Sequence, residues 1–121
     1  SREEYLVVQQ IYRGWALLGI VIFGALLATL TLMILMRHER RIFLLTLVAF
    51  LCIAGALAVF FTFTYPTNQV TNNWTLLPEN WLELRRQWEY SHATGAALYL
   101  IALITLLSSV LSRARGDDPR P

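Results

Sequence analysis

The sequence predicts an all-α integral membrane protein, a bundle of three transmembrane helices whose third helix extends beyond the outer face. Three observations carry this. Hydrophobic residues make up 56% of the 121-residue chain, and mean hydropathy is +0.50. No charged residue occurs over 14–36, 42–78 or 93–112, and a membrane-spanning helix needs about 20 apolar residues. The net charge of +2 gathers at segment ends, which reads as topology and not as nucleic-acid binding. The length bounds the chain to one domain, placed at 1–113, with a disordered tail at 114–121.

The first 13 residues read as an amphipathic helix leading into the first span and lying partly at the interface. They lack the basic start and small-residue cleavage site of a secretory signal peptide. Span one is expected over 14–36, roughly 34 Å of helix and enough to cross with some tilt. Gly14, Gly19, Gly24, Ala25 and Ala28 offer a small-residue seam on it, read either as intrachain packing or as a dimer face. Arg37 to Arg41 form a basic turn. Span two is expected over 42–64, ending near Tyr65-Pro66, with Cys52 inside it as a small buried hydrophobe. A polar loop follows over 65–80, rich in Asn and Thr.

Pro78, Glu79 and Asn80 look like a helix start, with Pro early and an acid in the first turn. An outer helix over 79–92 then continues into span three, 92–112, with Gly95 the one position where a bend is expected. Arginines in the 37–41 turn and in the tail after Ser112 place both on the cytoplasmic side of a plasma (inner) membrane. The N-terminus is then outside.

The third helix carries the residues of chemical interest. At about 100° per residue, Trp81, Arg85, Trp88, His92 and Tyr99 fall within an arc of roughly 40–60°. The stripe starts in polar sequence and ends inside an apolar run. One reading makes Trp81, Arg85 and Trp88 ordinary interface anchors. The other makes the stripe a pocket, because His92 and Tyr99 are polar groups entering a dry environment and need partners. There a flat aromatic molecule stacks on Trp88 while His92 and Tyr99 meet its oxygens. Asn68, Asn72 and Asn73 either add hydrogen bonds to that ligand or close turns. Asn73-Trp74-Thr75 also matches a glycosylation acceptor.

Metal chemistry finds little support. Glu89 and His92 make a Glu-x-x-His pair, but a di-iron bundle needs two such pairs and further carboxylates. The first two spans contain no Asp, Glu or His. His38 lies at the opposite end from His92, so the two cannot share a haem. No cofactor is expected, and no phosphate loop, nucleophile triad or zinc motif is present. A transporter is disfavoured because the spans hold no ionisable Asp, Glu, Lys or Arg and no inverted repeat.

The run Phe-Thr-Phe-Thr-Tyr-Pro-Thr-Asn-Gln-Val-Thr-Asn-Asn-Trp, followed by Trp81, Arg85, Trp88 and His92 at spacings of 4, 3 and 4, resembles the anthrone-oxygenase-like family of small membrane proteins. The resemblance covers about residues 60–112. It implies site residues at Asn68, Asn72, Trp81, Arg85, Trp88 and His92. It also implies oxidation of an anthrone-like substrate with oxygen and without metal or flavin, His92 serving as base toward a phenolic ring. This chain departs from the family in having Gly95 where many members have Arg, and in having three spans where members usually show four. The missing span implies completion by a second copy, by a partner, or in part by the N-terminal segment.

The functional expectation is therefore an outer-leaflet pocket for an aromatic or quinone-like molecule, with His92, Arg85 and Tyr99 as catalytic candidates. Trp81, Trp88, Asn68, Asn72 and Asn73 are the ligand-binding candidates. Membrane lipids are expected partners, nucleic acid is not, and a homo-oligomer or membrane complex is. The rival reading is a non-catalytic subunit or scaffold of a larger helical assembly.

Overall fold

The computed structural model describes residues 2–116, with side chains described through Arg113. All regular elements among them are helical. α1 (Arg2–Gln9) is followed by 3₁₀ turns at Gln10–Tyr12 and Trp15–Leu17 and by α2 (Leu18–Leu35). α3 (Arg40–Val59) runs through a π-helical turn (Phe60–Thr64) into α4 (Tyr65–Val70), and α5 (Trp81–Gly116) closes the described chain. Among the described residues, three stretches are long and apolar enough to cross a membrane: Arg2–Leu35, Arg40–Val70 and Trp81–Arg113.

α3 is the helix on which the others pack. Its buried residues are Ile42, Thr46, Ala49, Ile53 and Ala56, at spacings of 4, 3, 4 and 3, the seam of a heptad pattern. α5 answers with Ser91, Ala102 and Ser109. Ala49, Ile53 and Ala102 form the core, and Ile22, Leu26, Cys52, Tyr99 and Leu106 pack around it. Small side chains suit this place, because lipid gives no hydrophobic push between helices and close backbone contact must supply the attraction. A Cβ added at Gly55 would lie 3.7 Å from Leu98 Cδ1, ordinary contact between α3 and α5.

The structure moves several expected boundaries. The second span does not end at Tyr65-Pro66, because the helix continues to Val70. Proline lacks the N–H a helix interior needs, and the π turn ahead of it relaxes the ladder so that the chain passes without breaking. The turn also adds one residue to the count. The buried face reaches Ala56 and resumes at Thr64, Thr67 and Thr71, with Thr64 and Thr71 one position later than an uninterrupted heptad would place them. The polar loop consequently shrinks to 71–80. α5 begins at Trp81, after a turn in which Trp81 N donates to Pro78 O at 3.1 Å. It passes Gly95 as one helix and takes in 114–116, positions expected in the tail. The rest of the expected tail, 117–121, lies outside the described residues.

Among the described residues, the small-residue seam of the first span meets no neighbour. A Cβ at Gly14, Gly19 or Gly24 would meet no atom within 4 Å, and Ala25 and Ala28 are exposed. α2 turns Ile22, Leu26 and the buried Thr29 inward instead.

Candidate functional site

At the loop end of the bundle, two helices stand side by side and run in the same direction. α1 and the turn after it present Tyr5, Gln9 and Tyr12, at spacings of 4 and 3. The start of α5 presents Trp81, Arg85 and Trp88, at the same spacings. Tyr5 packs 5.7 Å from Trp81 and lies under the Arg85 guanidinium, 4.7 Å from ring centre to carbon. Tyr12 meets Trp88 edge to face at 5.1 Å, and Trp15 packs on Tyr12 at 4.8 Å. The Arg2 guanidinium donates to Leu77 O in the loop. Sequence reading singled out the α5 stripe and missed its complement on α1, whose matching spacing does not say which helix it meets.

Trp74 fills the space between the two stripes. It is 3% exposed, 5.1 Å from Tyr5 and 6.0 Å from Trp88, both edge to face. To bring it there the backbone takes three successive left-handed residues: Asn72 (φ 47°), Asn73 (φ 54°) and Trp74 (φ 61°). Asn tolerates that region, but a bulky residue such as Trp does so at a cost of roughly 1–2 kcal/mol. The loop is braced against the strain. Asn73 N donates to Asn68 O at 2.6 Å and Leu76 N to Thr71 O at 3.0 Å. Trp74 N donates to Thr71 Oγ1 at 3.2 Å, and Asn72 Nδ2 to Thr75 Oγ1 at 2.9 Å.

Trp74 Nε1 is nevertheless buried without a hydrogen-bond partner, and so is Gln9 Oε1. The Gln9 amide donates to Tyr5 OH at 2.7 Å, so the unpartnered acceptor belongs to a side chain already anchored in the same cluster. A buried indole N–H ordinarily finds an acceptor, and leaving one unmade costs about 1–3 kcal/mol. One donor and one acceptor therefore stand unused among stacked aromatic rings.

The adjoining face of α5 is joined to the π turn and α4 by a polar seam. Thr64 and Ser91 share a hydrogen bond of 2.7 Å. Gln87 Nε2 donates to Phe63 O at 3.0 Å and to Thr67 Oγ1 at 3.1 Å. Trp88 Nε1 donates to Asn68 Oδ1 at 3.0 Å. Thr64, Thr67 and Thr71 share one helix face, a stripe hidden from sequence reading because Pro66 was taken to end the span. Beside this seam, Val59, Phe63, Gln87, Tyr90, Ser91 and Thr94 line an open groove of about 250 Å³.

The residues singled out from sequence separate into groups. Trp81, Trp88 and Asn68 are brought together with Arg85 at the aromatic cap. Arg85 is half-buried at 41% side-chain exposure and is taken up by Glu89, its Nε donating to Oε1 at 2.7 Å. That bond raises the guanidinium's proton affinity further. Burial pushes the Tyr5 phenol above its ordinary 10.0, against the opposing pull of the Gln9 hydrogen bond.

His92 is exposed, its ring stacked on Trp88 at 4.0 Å. Its Nδ1 lies 2.9 Å from Trp88 O. A carbonyl can only accept, so Nδ1 carries a proton, and in the neutral imidazole Nε2 is the acceptor. Tyr99 does not join the cap, because it packs beside the Ala49, Ile53 and Ala102 core, about 10 Å further along the helix than His92. Asn72 and Asn73 are exposed and serve the turn.

No family model, curated protein or solved structure matches the chain. The site must be read from its own chemistry. Among the described residues no three His, Cys, Asp or Glu side chains gather. The unmatched hydrogen-bonding groups are an indole N–H, an amide oxygen and an imidazole nitrogen, set among aromatic faces. That combination suits a flat ring system with oxygen substituents.

Proposed function

We propose that the chain is a plasma-membrane protein that takes an aromatic or quinone-like molecule at its aromatic cap, on the outer side of the membrane. The observation that carries this reading is Trp74. A strained backbone holds it in place, and its buried N–H has no acceptor. Strain of this kind persists where the surroundings over-determine it, and it clusters at ligand sites. A quinone carbonyl would accept from Trp74 Nε1, and a hydroxyl on the same ring would donate to Gln9 Oε1. Trp81 and Trp88 supply the walls.

His92 lies at the rim, where its free Nε2 would accept a proton from a phenolic guest. That role agrees with the anthrone-type oxygenase chemistry implied by the resemblance of the Trp81, Arg85, Trp88 and His92 run. Arg85 and Glu89 hold the rim, and Tyr99 is left to packing.

Menadione titrated into the purified protein, with quenching of tryptophan fluorescence as the signal, tests the site. Trp74→Phe keeps the ring and removes the N–H, and is expected to weaken binding about tenfold, the loss of one buried hydrogen bond. Quenching that never saturates, or that Trp74→Phe leaves unchanged, would sink the reading.

A second reading has its own observation. The Gly24, Ala25 and Ala28 face of α2 is left uncovered, which favours a subunit that completes a larger helical assembly. A monomeric mass in mild detergent would count against it.

A further inference from the structure

We propose that α1 is a hinged strap, held over the cap by its aromatic face and released onto the membrane surface by its aliphatic face; the inference rests on the cap being a binding site. Four features of α1 point the same way. The hold of α1 and its following turn on the loop and α5 is made by side chains: Tyr5 against Trp74 and Trp81, Tyr12 against Trp88. These are ring contacts, which a flat aromatic guest could replace one for one.

Its outward face is apolar, with Val7, Val8 and Ile11 at 72, 54 and 63% exposure. That face lies about 120° round the helix from Tyr5 and Gln9. A helix with a second, aliphatic face beside a membrane span has a second resting place, in the headgroup boundary.

The connection to α2 is a hinge. Helical bonding runs as 3₁₀ turns on both sides of Arg13-Gly14, with Arg13 extended (ψ 125°) and Gly14 left-handed (φ 88°). Glycine crosses between conformations there at no steric cost. Finally, docking strands two polar atoms, Gln9 Oε1 on the strap and Trp74 Nε1 on the body. The closed state is thereby kept from being too stable to open.

The test uses the full chain in phosphatidylcholine nanodiscs, with Cys52→Ser and a bimane label at Val8→Cys. Hydrogen exchange over residues 2–12 is followed together with bimane emission. Tyr5→Ala removes two ring pairs and a cation–π contact. It is expected to speed exchange in α1 by about tenfold or more while 85–110 stays protected. Bimane emission should shift to the blue as position 8 enters lipid.

Two outcomes overturn the strap. One is α1 protected as strongly as α3 in both proteins. The other is faster exchange without a blue shift, which means simple fraying into water. Menadione separates this inference from the reading beneath it. Tighter quenching in Tyr5→Ala supports both. A strap that opens over a cap that never binds menadione leaves the device standing and removes the quinone site.

Discussion

The two ends of α5 are held by different forces. In its apolar half, packing rests on small residues: Ala102 meets Ala49 and Ile53, and Gly55 lets Leu98 approach. In its polar half, the same helix is held by large rings, Trp81 and Trp88 against Tyr5, Tyr12 and Trp74. The difference follows the surroundings. Between lipid-facing helices there is no hydrophobic gain from burial, so contact distance decides. Where water competes, burying a ring is worth more than bringing backbones together.

The sharpest way to break this contrast is Trp88→Ala. It removes a ring that touches Tyr12, Trp74 and His92 and leaves Asn68 Oδ1 without its donor. A loss of about 3–5 kcal/mol is expected. It should appear as collapsed hydrogen-exchange protection over residues 2–12 and 71–80, with 95–110 unaffected. Loss of protection along all of α5 would mean that the two halves are one cooperative unit.

Ala49→Leu attacks the other half. Ala49 is fully buried, and overpacking there should cost about 1–3 kcal/mol, read as a lower midpoint in detergent denaturation with the tryptophan signal of the cap retained.

The pH dependence is smaller and confined to the cap. Burial raises Tyr5 above its ordinary 10.0, so the folded state holds its proton more tightly than the unfolded chain does. Stability from this group is then complete below pH 10 and falls as pH rises past it. Tyrosinate absorbance should show a phenol titrating above the ordinary range, a feature lost in Tyr5→Phe. Glu89→Gln is the mildest change. The Arg85–Glu89 pair is a half-exposed i, i+4 contact, and its loss should move stability by about 0.5 kcal/mol or less. A larger loss would mean that Arg85 is locked by Tyr5 in a way that needs its partner.

What the sequence made legible divides along the same line. The spans were readable because gaps in charge are long and a bilayer imposes a length. The aromatic stripe of α5 was readable because it lies on one helix. Its partners were not, since Tyr5, Gln9 and Tyr12 sit in a segment whose polar and apolar residues suggested a surface helix. Nothing local tells such a helix to stand against another. Pro66 misled for a physical reason: its missing N–H ends most helices, and only the wider turn before it lets this one continue. Trp74 could not be foreseen either, because left-handed backbone at a tryptophan runs against local preference and is imposed by the bracing of Asn68, Thr71 and Asn72.

That wider turn has a consequence for how the chain tolerates change in length. Between Ala56 and Thr64 the number of residues matters more than their kind. Deleting one of them would let the ladder close to regular helix with the face beyond kept in phase, whereas inserting a further one would rotate everything beyond by roughly 100°. Thr67 and Asn68 would swing away from Gln87 and Trp88, and the cap would lose its footing while the apolar half kept its register. Phe60–Thr64 thus works as a gear offset, setting the phase of one half of the molecule against the other.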